Sequence, residues 1–152
     1  MDSHMKLIPS QSIMSFLTYA GLIPFLFGAV LLTTGVGTQN LSINIQNLLS
    51  VYGLVISSFL AGTVWGQQVN RNSGFQLYLL FCSNAIALAL WAAFVMLSFT
   101  SLMIAYVIAF LVLLLIDYQL NQNGMSNDNY FKLRLRVTFI VVLAIGISAL
   151  AG

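Results

Sequence analysis

Five runs of roughly twenty apolar residues fill most of this chain, and each is long enough to cross the hydrocarbon core of a bilayer, about 30 Å, as a helix. They cover about 16–34, 47–68, 75–97, 99–120 and 133–151. Water cannot be the solvent for most of this surface. Lys, Arg, Asp and Glu make up 5% of the 152 residues, 60% are hydrophobic, and the mean hydropathy is +0.98. A water-soluble domain carries roughly 25% charged residues. The chain therefore reads as an all-α polytopic membrane protein, a single bundle of five transmembrane helices over residues 5–152. A lipid-exposed helix is apolar all round, so hydrophobic periodicity adds little to the assignment.

Met1-Asp2-Ser3-His4 ahead of a second methionine reads as a cloning scar, with the natural chain starting at Met5. Setting it aside leaves no histidine, no glutamate, one cysteine (Cys82) and two carboxylates, Asp117 and Asp128. Without histidine there is no His-assisted nucleophile and no usual haem ligand. One cysteine and two distant carboxylates make poor zinc or di-iron ligands, and Cys82 reads as an inert thiol in the third span. No lysine lies inside an apolar run, which excludes a Schiff base within the bundle. Gly35-Val36-Gly37 lacks the spacing and the lysine of a phosphate loop. Five Lys and Arg give no electrostatic footprint for nucleic acid. The expectation is a protein with no cofactor, no metal and no catalysis.

Threading the five spans puts every basic residue on one side: Lys6 before the first, Arg71 between the second and third, and Lys132, Arg134 and Arg136 between the fourth and fifth. Basic residues concentrate on the cytoplasmic side, so the N-terminus is expected in the cytoplasm and the C-terminus outside. Trp65, Tyr52, Tyr118 and Tyr130 fall near span ends and fit an aromatic belt. The first span is too long for a signal-peptide core and reads as a retained helix. Pro24, near its middle, frees the carbonyl of Ala20, which needs a new partner in lipid. The uncharged stretch Thr34–Gln46 is either a short interfacial segment or an early start to the second span. Tight turns at Val69–Gly74 and Ser98–Thr100 make the second to fourth spans antiparallel neighbours, and Asn121–Tyr130 is a polar loop with a turn at Gly124.

The second span carries two interleaved rows of small residues, Gly53, Ser57 and Ala61 in one and Ser58, Gly62 and Gly66 in the other. Four-residue spacing aligns small side chains on one helix face, where another backbone can come close. Two rows predict a helix packed against two neighbours at the centre of the bundle. Pro24, Ser57, Ser58 and Asn84 lie midway along their spans and form a candidate polar cluster at the bilayer midplane. Such a cluster is either hydrogen-bonding glue between helices or a solute site beside a broken helix. Asp117 is the one acid within a span, near the negative pole of its helix dipole, and needs a cation there. Arg134, Arg136 and Arg71 lie on the same side, and the candidate network is a structural salt bridge or a proton relay.

Tyr52-Gly53, Ile56, Ser58-Phe59-Leu60, Gly62 and Trp65-Gly66 resemble the signature of the domain of unknown function 3429 family, the transmembrane protein 69-like proteins. Ala20-Gly21-Leu22-Ile23-Pro24-Phe25 is similar to that family's opening, and Tyr130-Phe131-Lys132-Leu133-Arg134-Leu135-Arg136-Val137-Thr138 to its entry into the last helix. The chain departs from the family at Thr63-Val64-Trp65, where a histidine or arginine often precedes the tryptophan. The resemblance implies a small multi-pass protein of a bacterial or mitochondrial inner membrane and carries no site residues with it. The expected function is that of a non-enzymatic accessory or assembly factor, whose environment is the bilayer and whose partner is another membrane protein or a second copy of the chain. The alternative is a small transporter or channel using the midplane cluster.

Overall fold

Pro24 divides the first span into two helices, α1 (Ser10–Ala20) and α2 (Ile23–Thr34). Proline lacks the N–H that an interior helical position must donate, but within a first turn that N–H has no intrahelical partner anyway. The break is compact: Gly21 N donates to Leu17 O at 3.1 Å, Leu22 N donates to Tyr19 O at 3.0 Å, and the ladder resumes with Leu26 N donating to Leu22 O. The hydroxyl of Tyr52 donates to the carbonyl of Gly21 at 2.9 Å. Tyr52 therefore serves the break from within the bundle, half-buried.

The computed structural model describes residues 10–35, 44–68, 74–124 and 127–152. Residues 1–6, with Lys6, and also Gly37, Leu41–Ile43 and Arg71, lie outside the described residues. The remaining helices are α3 (Ile45–Gln68), α4 (Gly74–Met96), α5 (Phe99–Gln122) and α6 (Asp128–Ala151). With the α1–α2 pair they make five segments long and apolar enough to span a membrane. Every regular element among the described residues is a helix. The last helix starts at Asp128 rather than near 133, because Asn127 caps it: its side chain accepts from Asn129 N at 3.0 Å, and Asp128 sits by the positive dipole end. Gly35 and Gly124 close α2 and α5 with φ of 68° and 66°, the left-handed conformation that glycine adopts without strain.

α2, α3, α5 and α6 form a closed ring, each touching the next, with α4 outside it against α3 and α5 and α1 lying against α6. The second span is therefore not a sole centre. α3 touches three helices, but so do α5 and α6, and the last two spans bury more of their length.

Glycine lets large side chains into the ring. A Cβ on Gly53 would stand 2.5 Å from the Tyr106 ring, and one on Gly28 would collide with Leu49. Tyr106 is fully buried, and its hydroxyl donates to Ser50 O at 2.7 Å. Phe25 stacks edge-on to Tyr52 and Phe110, with centroids 4.9 and 6.1 Å away. Because lipid is as apolar as leucine, such close packing and hydrogen bonds hold the helices together rather than escape from water.

Candidate functional site

Arg134 lies six residues into α6, about 9 Å along it, and Asp117 five residues before the end of α5, about 8 Å from that end. Antiparallel packing of the two helices brings them level. Arg134 Nε donates to Asp117 Oδ2 at 2.8 Å, with both side chains almost wholly buried. Arg136, two residues on, points away and is exposed, so the pair is Asp117 with Arg134. The bridge uses one edge of the guanidinium. Among the described residues, its two terminal nitrogens have no hydrogen-bond partner.

Arg134 also lines a slot of about 470 Å³. The slot lies between α1 and the second half of α3, with the first half of α6 and Phe110 as its floor. Its lining is almost entirely apolar, and its rim includes the exposed Leu17 and Phe59, so it faces the surrounding lipid. Along α6 it extends from Tyr130 to Val141, about 16 Å, close to half of the roughly 30 Å hydrocarbon core. It is one leaflet deep, at the end of the bundle where the basic residues gather.

Thr138, one turn beyond Arg134 on the same face, also lines the slot. Its Oγ1 is buried, at 1% exposure for the residue, and has no hydrogen-bond partner. That is unusual for a helical threonine, which commonly bonds back to the preceding turn. Thr18, Thr33, Thr34 and Thr63 all do so here.

The midplane cluster does not assemble. Ser57 is buried, and its hydroxyl donates to Gly53 O at 2.6 Å within its own helix. Asn84 is exposed, and its amide donates to Leu80 O at 3.0 Å, again within its own helix. The reason is register: α4 turns Leu79, Ser83 and Leu90 inward, and Asn84, next to Ser83, is rotated about 100° away. Asn84 does not reach the Pro24 break; the side chain that does is Tyr52, and it donates to the carbonyl of Gly21, not to that of Ala20. The two small-residue rows also separate. Gly53, Ser57 and Ala61 are buried, whereas Ser58 is half-buried and Gly62 and Gly66 look into open space, where an added Cβ meets nothing within 4 Å. They sit one residue, and so about 100°, apart, and α5 covers the first row alone. Cys82 is half-buried and free.

Sequence reasoning found Asp117 and Arg134 but missed the slot, Thr138 and Tyr106. The four-residue spacing of Arg134 and Thr138 was the available signal for two polar groups on one face. Tyr106 stood alone among apolar neighbours with nothing to name its partner.

The fold and this arrangement define a multi-pass α-helical membrane protein with a buried ion pair at one end of its bundle and a lipid-facing slot beside it. The family described as protein of unknown function DUF3429 matches residues 10–150, and the chain belongs to it. No curated protein and no solved structure matches the chain.

Proposed function

We propose that the protein is a non-enzymatic accessory factor of a bacterial or mitochondrial inner membrane that works by holding an amphiphilic molecule taken from the bilayer. The observation that carries this reading is the slot: about 470 Å³, within the range of ligand pockets, apolar, and open toward lipid over the depth of one leaflet. The basic residues on one side of the threaded spans support an orientation with the N-terminus in the cytoplasm, or its mitochondrial equivalent, and the C-terminus outside. Transport through Pro24, Ser57, Ser58 and Asn84 loses its geometric support, since Asn84 is turned outward and the serine Ser57 is satisfied within its own helix. The test is native mass spectrometry of protein released from an uncharged detergent after purification from membranes. A chain-bearing molecule retained at one per protein, and lost in Leu17→Trp, which fills the slot, is the expected result. Retention unaffected by that substitution, or none at all after incubation with membrane lipid extract, would overturn the reading.

A further inference from the structure

Resting on that reading, we infer that the slot's occupant is a long-chain fatty acid, its carboxylate held by the terminal nitrogens of Arg134 and the hydroxyl of Thr138. Two independent observations converge. Arg134 lines the slot and offers a cation whose Nε alone is engaged by Asp117. Thr138 supplies a buried hydroxyl with no partner on the same wall, one turn deeper. Buried polar atoms of this kind are almost always hydrogen-bonded, and an orphan in a cavity wall marks a missing acceptor or donor. A guanidinium edge and a hydroxyl are both donors to a carboxylate, which accepts through two oxygens.

Depth selects the headgroup. Arg134 enters its helix about 9 Å from the start, while α6, 24 residues and about 36 Å long, exceeds the roughly 30 Å core by only about 3 Å at each end. The backbone of Arg134 therefore lies about 6 Å inside the hydrocarbon boundary. A compact carboxylate can follow its single chain to that level. A glycerophosphate, larger and tied to a second chain, would have to leave the interface to do so. Below the headgroup the wall is apolar as far as Val141 and Phe25, which suits an alkyl tail.

Full-length protein in uncharged detergent is titrated with oleate, with methyl oleate (the same chain without the charge) and with phosphatidylglycerol, and bound species are counted by native mass spectrometry. The proposal predicts one oleate per chain, with methyl oleate and phosphatidylglycerol at least ten-fold weaker. Thr138→Val, nearly isosteric, should weaken oleate several-fold while leaving methyl oleate unchanged. Arg134→Gln alone strands Asp117 and can fail to fold, so the cation is tested in the Asp117→Asn/Arg134→Gln double variant, which should lose the preference for oleate over methyl oleate. Equal binding of oleate and methyl oleate, or a preference for phosphatidylglycerol, overturns the headgroup assignment and leaves the amphiphile reading standing. Binding of none of the three overturns both.

Discussion

At the scale of single residues, the Asp117–Arg134 pair is where charge meets the bilayer at greatest risk. Removing one member of a buried pair costs about 3–5 kcal/mol, because the other is left without its counter-charge. Asp117→Asn is expected to lower the detergent melting temperature strongly, and the Asp117→Asn/Arg134→Gln double variant to recover part of the loss. A cycle with Arg136→Gln should give no coupling, since that side chain points outward. Coupling to position 136 instead of 134 would place the bridge wrongly. Glycines divide in the same way. Gly53→Ala drives a methyl into the Tyr106 ring, which the Ser50 carbonyl pins in place, and should cost about 1–3 kcal/mol in thermal unfolding. Gly62→Ala meets open space and should be neutral or slightly stabilising. The sequence alone ranked these two glycines together, because spacing aligns residues on a helix face without saying which face a neighbour covers.

At the scale of elements, the five spans were legible because the bilayer fixes their length, and their composition excludes any other solvent. Their faces were not. A helix that is apolar all round carries no moment to orient it, so Asn84 could be placed at the right depth and still be about 100° from the interior. Pro24 announced a break in the first span, but the side chain that serves it, Tyr52, lies 28 residues beyond Pro24, shares no motif with it and bonds Gly21 O rather than Ala20 O. That partnership carries an expectation for α1, whose contact with α6 is slight. Tyr52→Phe should leave α5 and α6 as protected as before while amide exchange rises across residues 10–22, measured by hydrogen–deuterium exchange with peptide mass analysis. Unchanged exchange in that segment would mean the break holds without the hydroxyl. Asn84→Leu, by contrast, removes a group bonded only to its own helix and should change stability by less than about 1 kcal/mol.

At the scale of the whole molecule, a ring of four helices with one pressed against its outside leaves α1 standing off from α3, and the slot is the consequence. Orientation decides which leaflet it opens to. Alkaline phosphatase fused after Gly152 should be active in a bacterial host, and the same enzyme fused after Arg71 inactive; the reverse pattern would move the slot to the outer leaflet. The slot itself is open to direct measurement. On a Cys82→Ala background reconstituted in bilayers, nitroxide labels at positions 17 and 63, on opposite walls, report collisions with oxygen, which concentrates in hydrocarbon, and a label at 57 reports the buried face of α3. The predicted result is high oxygen accessibility at 17 and 63, with 57 shielded. Labels at 17 and 63 as shielded as the one at 57 would contradict it: α1 would then lie against α3, with no space between them for a chain.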